Sequence, residues 1–533
     1  MTTQLDLADI QGNIVKPYGR YGFPLARHVF YHVSSAVVGR QFVSDVAPLI
    51  TTSIRWPDVS RTPQAVTNIA FTYEGLRHLD VPEATLHGFP DEFSMGMKAR
   101  RDIVGDTGPN HFSRWDPIWN AESATETQHV HILISINARN EQSLEEQYQK
   151  IQLIMTAAVA KYPEVQPPGV TLLTGHRGAG VDNLPYQSSA ALEQSNKEHF
   201  GYSDGISDTY FKGCGDDDPR GVIGAGKPTG EDPRTMAGWA PLATGEFLFG
   251  YPDEACEYPA APGPPLFSRN GTYMVFRKLH QNVASFNSYL DAEGAHFPGG
   301  KERLAAKFAG RWRNGAPLAT FPTEESAIQF ADEFTALQVK SRSQSATPQE
   351  MLRLDELKLQ LVAFDYVEDV DGARCPFGSH TRRTNPRSAL QFGTKGAFDT
   401  PGALSNRRRI LRRGLPYGLA QEQPTDDGDH GVIMMILNAD IGRQFEFVQQ
   451  QWVNFGNDFK LANDQDPILG NHGINEQCRG KGRMVIEGDK ATGTPPYFCS
   501  NMATLVETRG GDYFFVPSMT CLRMIGLGII DPT

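Results

Sequence analysis

The chain has 533 residues, a net charge of −12, and 39% hydrophobic and 21% charged residues. This length predicts two or three domains at roughly 100–200 residues each, and the acidic balance argues against nucleic acid or an anionic membrane as the main partner, because both attract a basic surface. No stretch is apolar for long enough to predict a transmembrane helix, and the first residues lack the basic and apolar regions of a signal peptide. We therefore expect a cytoplasmic protein whose six cysteines are reduced thiols.

The N-terminal part mixes strand and helix patterns. Residues 128–136 alternate polar and apolar side chains and then become apolar, which is typical of a half-buried strand. Residues 141–161 show the period of an amphipathic helix. Near the C-terminus, a strand over 431–437 followed by a helix from residue 444 to 452 repeats this order. The pattern predicts two α+β halves of similar rhythm.

A long irregular region separates the two halves. Residues 213–265 are rich in Gly, Pro and Asp, which predicts long loops, and we place a domain boundary there, between residues 1–225 and residues 226–533. Residues 322–360 have a helical composition, and residues 470–500 predict a second irregular excursion. Residues 221–227 begin like a phosphate-binding loop, but Pro228 stands where that loop needs Ser or Thr, so we do not expect nucleotide binding.

Two short segments carry candidate chemistry, each beside a simpler structural interpretation. In residues 200–205, Asp204 lies in a Ser-Asp-Gly turn, which is most often structural. Its functional interpretation is a carboxylate aimed into a pocket, with Gly205 allowing a flat ligand to approach the backbone. In residues 375–387, His380 precedes several arginines. A lone histidine is usually solvated, and zinc would need further Cys or His ligands nearby, whereas haem needs one imidazole ligand and cations for its propionates.

A third segment, residues 407–418, places Arg412 in a basic run before a Pro-Tyr-Gly turn. By itself this run is typical of a solvated strand or helix end. In this order, however, the three segments resemble those of the dye-decolorizing peroxidases. Residues 9–13, 245–251, 273–279 and 511–517 also resemble segments of that family, so the resemblance covers nearly the whole chain. The insertions in both halves are similar to those of its larger subgroup.

The resemblance implies an α+β fold of two ferredoxin-like domains with antiparallel sheets. It also implies haem b, one per chain, held mainly by the C-terminal domain, while the N-terminal domain carries the distal aspartate. Transferred residue by residue, Asp204 is the distal acid–base group and Arg412 the distal arginine that stabilises charge. His380 is the axial iron ligand, and Arg387 stands at the position of a propionate-binding arginine.

Further positions follow from the same resemblance. Gly205, Arg412 and Met434 are expected to contact the haem. Met434 stands where many relatives place an aromatic residue above the haem, and its thioether is itself oxidisable. Gly414 stands where some relatives carry a polar side chain, so a third distal polar group is absent from the sequence.

The implied function is a haem peroxidase that reduces hydrogen peroxide while it oxidises bulky organic donors such as dyes and phenols. Because an aspartate has a lower pKa than a histidine, we expect an acidic optimum. The alternative is a non-catalytic haem-binding or iron-handling protein, which would have no need of both Asp204 and Arg412 opposite the iron. The sequence does not specify the physiological reductant, the partner of His380, or whether the chain forms a homo-oligomer.

Overall fold

The structure, a computed structural model, describes residues 5–20, 22–56, 61–120, 129–178, 180–192, 196–215, 219–391, 402–420, 422–473, 477 and 481–530. Its strands are β1 (Leu25–Val33), β2 (Ala65–Phe71), β3 (Ile132–Ala138), β4 (Val170–Leu172), β5 (His176–Gly178), β6 (Val181–Leu184), β7 (Gln187–Ala190), β8 (Lys227–Pro228), β9 (Trp239–Ala240), β10 (Thr272–Gln281), β11 (Leu411–Tyr417), β12 (Gly431–Asn438), β13 (Gly482–Ile486), β14 (Tyr497–Met502) and β15 (Val506–Val516).

Helices connect these strands. They are α1 (Gly12–Val15), α2 (Ala36–Val46), α3 (Tyr73–His78), α4 (Glu83–Leu86), α5 (Asp91–Ala99), α6 (Arg101–Val104), α7 (Glu141–Ala160), α8 (Pro265–Ser268), α9 (Val283–Gly294), α10 (Gly300–Ala309), α11 (Glu324–Arg342), α12 (Pro348–Gln360), α13 (His380–Thr384), α14 (Ala403–Asn406) and α15 (Met519–Leu527). Two consecutive segments, Ile441–Glu446 and Val448–Val453, are π-helical. No helix in the described part of the chain is long and apolar enough to cross a membrane.

The two halves of the chain repeat one topology. In the first, β1, α2, β2, β3, α7 and β4 occur in this order, with α3–α6 inserted between β2 and β3, and the antiparallel sheet has the order β2-β3-β1-β4. In the second, β10, α9, β11, β12, the π-helical segments and β15 occur in the same order, with α10–α14 inserted before β11 and β13–β14 before β15. Their sheet has the equivalent order β11-β12-β10-β15. This β-α-β-β-α-β arrangement is ferredoxin-like. The predicted α+β fold with two ferredoxin-like antiparallel units is therefore confirmed.

The two sheets are joined along their edges. Strand β15 pairs with β2 at Phe515 and Phe71, and β7, which pairs with β1, packs beside β11. Across the inner faces, the rings of Phe30 and Phe276 meet edge to face at 5.4 Å between centroids. One hydrophobic core therefore includes residues of both sheets. The boundary between residues 225 and 226 stays a prediction.

Most of the element predictions agree with the structure. The predicted helices 141–161 and 322–360 correspond to α7 and to the pair α11 and α12, and the strand 431–437 lies within β12. The strand predicted over 128–136 is β3, and residue 128 lies outside the described residues. The helix predicted over 444–452 exists, but it is π-helical.

One prediction of irregular structure was wrong in part. Within 470–500, β13 pairs antiparallel with the start of β14. The Gly- and Pro-rich composition concealed this hairpin, although Met484 and Ile486 alternate with more exposed residues and are buried. The five cysteines that the structure describes form no disulfide with one another, and Cys478 lies outside the described residues; the reduced state of the thiols stays a prediction.

Candidate active site

Asp204 ends a tight loop, residues 196–204, that is closed by its own backbone and side chains. The backbone N–H of Asp204 donates to the carbonyl of Asn196 at 2.7 Å. Inside the loop, the carboxylate of Glu198 accepts the N–H groups of Phe200 at 2.9 Å and Tyr202 at 2.8 Å. These bonds fix the backbone position of Asp204, and with it the point from which its carboxylate extends.

The residue after Asp204 must be glycine. Gly205 has a φ of 70°, which L side chains rarely adopt, and a Cβ atom there would lie 2.5 Å from Nε of Arg20. Its N–H donates to Oδ1 of Asp204 at 2.6 Å. Both the turn and the close approach of Arg20 therefore depend on the missing side chain.

Arg412 reaches the same carboxylate from β11. In the register of β11 with β12, Arg412 lies opposite Ile436 and Gly414 lies opposite Met434, so these side chains share one face of the sheet. Nη2 of Arg412 donates to Oδ1 of Asp204 at 3.0 Å. Since both bonds to Asp204 end on Oδ1, its Oδ2 accepts no hydrogen bond from the residues that the structure describes.

The local charges determine the ionisation of Asp204. Burial in the protein would raise the pKa of its carboxyl, but Arg412, the N–H of Gly205 and Arg20 together lower this pKa to about 2. The side chain still faces open space, with 46% of its surface exposed. Asp204 is thus a charged carboxylate at any ordinary pH, surrounded by protein and open towards a cavity.

That cavity has a volume of about 1100 Å³. Asp204, Gly205, Arg412 and Met434 line it, so the structure brings together four of the residues predicted to form the site. The volume slightly exceeds the roughly 300–1,000 Å³ typical of ligand pockets, which is consistent with a large ligand. His380, the predicted iron ligand, is not among its lining residues.

His380 is the first residue of α13, and a buried carboxylate holds its ring. Nδ1 of His380 lies 2.9 Å from Oδ2 of Asp466, whose side chain is fully buried. Oδ1 of Asp466 accepts the N–H groups of Ile468 at 2.8 Å and Leu469 at 2.9 Å. Burial would raise the pKa of Asp466, but His380, Arg383 and the N–H of Leu469 lower it. A carboxylate only accepts, so Nδ1 carries the proton of the neutral imidazole.

The other ring nitrogen of His380 is available to a ligand. Nε2 makes no hydrogen bond with the described residues, and 27% of the side chain is exposed. An imidazole that donates from Nδ1 to a carboxylate and presents Nε2 as a lone pair is the arrangement that a metal-ligating histidine requires. The sequence could not identify Asp466, which lies 86 residues further along the chain.

Helix α10 connects the two segments that carry Asp204 and His380. The hydroxyl of Tyr202 donates to the carbonyl of Ala305 at 2.7 Å, and the hydroxyl of Thr381 donates to that of Ala309 at 2.6 Å. Four residues of α-helix correspond to roughly 6 Å along the axis. The neighbours of Asp204 and His380 are therefore anchored about one helical turn apart.

Two of the arginines after His380, Arg383 and Arg387, bind backbone carbonyls. Arg387 is 2% exposed and donates to the carbonyls of Val362 at 2.9 Å, Gly224 at 3.1 Å and Phe364. Arg383 likewise donates to four carbonyls, those of Gly378, Trp452, Phe455 and Asp464. Arg387 does not line the cavity. Its role in binding a propionate stays a prediction that these contacts do not favour.

Comparisons with known proteins show what the whole chain resembles. A family model described as the DyP dimeric alpha+beta barrel domain matches residues 9–167. "Peroxidase 2" of Mycetinis scorodonius is 25% identical over 97% of this chain and 87% of its own length. The solved structure of an ancestral D-type dye decolorizing peroxidase superimposes with a TM-score of 0.71 at 25% identity, covering 98% of this chain and 99% of the other. The chain is thus similar to the dye-decolorizing peroxidases over nearly its whole length.

A bacterial relative extends the same likeness. The "Multifunctional dye peroxidase DyP2" of Amycolatopsis sp. is 28% identical over 68% of this chain and 66% of its own length. The dye-decolorizing peroxidases are haem-dependent enzymes. The Nε2 of His380, unused by the described residues, and the large cavity beside Arg412 and Met434 are each compatible with that group, although His380 does not line the cavity.

Proposed function

We propose that this chain reduces hydrogen peroxide and oxidises organic donors such as dyes and phenols. It would use one haem b per chain, and His380 would hold the iron through Nε2. The observation that carries the proposal is the pair formed by Asp204 and Arg412 at 3.0 Å on the wall of a large cavity. A carboxylate and a guanidinium that face one open space can supply the proton transfer and the charge stabilisation that peroxide cleavage needs.

Bound haem supplies the iron that receives peroxide and exchanges electrons with the donor. Reduction of one hydrogen peroxide takes two electrons and two protons and yields two water molecules. The role of Asp204 is to move one proton between the two peroxide oxygens. Oδ2 is the atom available for that transfer, because Oδ1 already accepts bonds from Arg412 and Gly205. Such a positioned acid–base group contributes about 10²–10⁴-fold.

Arg412 performs two tasks in this proposal. Its guanidinium keeps Asp204 ionised, which makes the carboxylate a base in acidic solution. Its remaining N–H groups also face the cavity and stabilise negative charge on the departing oxygen. Gly205 and Met434 complete this wall and leave room for a flat cofactor.

The decisive experiment uses the haem-loaded protein and one equivalent of hydrogen peroxide, followed by stopped-flow absorption in the Soret region. We expect a rapid, stoichiometric spectral change that an added phenol reverses. Asp204→Asn is expected to slow it, while Asp208→Asn, which removes a neighbouring carboxylate of the same cavity, is the control. Slow bleaching in the wild-type protein would instead support the alternative, a non-catalytic haem-binding protein.

Three sequence-based predictions belong with this proposal. The protein would act in the cytoplasm, its N-terminal domain would end near residue 225, and the haem would lie mainly in the C-terminal domain. Expression of residues 226–533 alone, followed by haemin titration, tests the last two together. Failure of that fragment to fold or to bind haemin would reject the proposed division.

A further inference from the structure

Three guanidinium groups and two carboxylates, one of them that of Asp204, form a cluster on the wall of the cavity. Arg412 pairs with Asp204, and Nη1 of Arg413 pairs with Oδ1 of Asp208, each at 3.0 Å. The third cation is Arg20, whose charge interacts with all four of these groups. The two carboxylates therefore already have arginine partners, and the cluster carries one positive charge in excess.

The guanidinium of Arg20 has no partner among the residues that the structure describes. The backbone N–H of Arg20 donates to the carbonyl of Pro17, but its side chain makes no hydrogen bond or ion pair in the described ranges, although it lines the cavity and packs against the backbone of Gly205. The five donors of this guanidinium, at the wall of a cavity, are thus unused by the described part of the chain. Burial lowers the pKa of Arg20, but the pKa of a guanidinium is high enough for it to stay charged.

The rest of the cavity wall indicates what kind of anion would fit. Phe330 and Phe334 of α11 also line it, and their rings stack at 5.5 Å with 16° between their planes. Arg342, in the last turn of the same helix, adds another cation to the lining. A cavity with a flat aromatic wall and an excess of positive charge suits a ligand that has both a ring and a negative charge. The acidic charge of the whole chain makes this local excess the more distinctive.

We propose that Arg20 forms an anion subsite that binds the carboxylate or sulfonate group of an aromatic donor. This inference rests on the proposed peroxidase function and adds the substrate class. A planar guanidinium binds such a group through two parallel hydrogen bonds. This geometry orients the aromatic ring of the ligand and also increases the affinity for it. The same chemistry could serve a carboxylate of the haem, so the test has to distinguish the two sources.

The test measures binding to the haem-loaded ferric protein, without peroxide, by calorimetry. The probes are veratrate, an aromatic carboxylate, and veratrole, the same ring without the carboxylate; neither carries a free phenol. We expect Arg20→Gln to weaken veratrate binding at least tenfold and to change veratrole binding less than twofold. Arg20→Lys is expected to recover part of the loss. Arg523→Gln, on α15 outside the cavity, controls for the loss of one charge.

Each other outcome has a definite meaning. Equal weakening of both probes would reject the subsite, as would unchanged veratrate binding. If veratrate binding is unchanged while Arg20→Gln weakens haemin uptake by the apoprotein, the anion is a haem propionate and the donor subsite is rejected. Failure of the proposed function is recognised separately, because the wild-type protein would then bind veratrate but would not oxidise guaiacol with peroxide.

Discussion

Replacement of Asp466 tests whether the ring of His380 is held as the structure shows. Asp466→Ala removes the acceptor for the N–H groups of Ile468 and Leu469. An unsatisfied buried donor costs about 1–3 kcal/mol, so the apoprotein is expected to lose about 2–6 kcal/mol of unfolding free energy. Asp466→Asn keeps an oxygen for those two groups and places an NH₂ against the N–H of His380. Asp466→Asn should therefore disturb the orientation of the His380 ring far more than it lowers the unfolding free energy of the apoprotein.

The assay separates these two effects. Urea unfolding of the apoprotein gives the stability, and haemin titration of the folded variants gives the affinity. We expect Asp466→Asn to weaken haemin binding about 10–100-fold, as loss of an outer partner of a ligating histidine does. Asp464→Asn is the matched control, because that carboxylate lies in the same loop but binds Arg483 at 2.6 Å. If Asp466→Asn and Asp464→Asn both bind haemin as the wild type does, Asp466 does not orient the ligand and the reasoning is refuted.

Four further outcomes are expected. Asp204→Asn slows the reaction with peroxide by about 10²–10⁴-fold in stopped-flow measurements. Arg412→Leu slows it more, because water can relay a proton but cannot replace a guanidinium. A larger loss for Asp204→Asn would contradict this ranking. With the pKa of Asp204 at about 2, donor oxidation persists well below pH 4. Arg412→Leu removes the charge that lowers this pKa, so the acidic limb of the pH–rate profile moves to higher pH. An unmoved limb would count against the ion pair. His380→Ala abolishes the imidazole-ligated spectrum of the haem-loaded protein, and its retention would mean that another residue is the ligand. Burial lowers the pKa of His472 to about 4. As the pH decreases from about 6.5 to 4, the unfolded chain therefore binds more protons at this residue than the folded protein does, and the unfolding free energy falls by about 1.4 kcal/mol per pH unit. His472→Gln should flatten this slope in urea titrations.

The elements that were predictable from the sequence are those with a strong local pattern. Helix α7 and strand β12 follow the periodicity of their own residues, because each buries one consistent set of side chains. The π-helical form of residues 441–453 was not predictable, since a helical composition does not distinguish the hydrogen-bond spacing. Strand β13 was missed because only alternate residues in a short Gly-rich stretch are buried.

The candidate site divides in the same way. Asp204, His380 and Arg412 were identified because each lies in a distinctive local segment. Asp466 had no such signal, because its role depends on a contact with a residue 86 positions away. Arg20 and Glu198 were also missed, since an arginine or a glutamate in a loop is ordinary until the fold shows what lies beside it. The side-chain direction of Arg387, into backbone carbonyls, is likewise a property of the packed chain.

The anchoring of both active-site segments on α10 makes the length of this helix a constraint on evolution and design. One residue inserted between Ala305 and Ala309 would turn the later carbonyl by about 100° and advance it by about 1.5 Å. Thr381 would then find no acceptor while Tyr202 kept its own, so the two halves of the site would lose their alignment although every catalytic side chain was still present. Substitutions in this turn should therefore be tolerated where insertions and deletions are not.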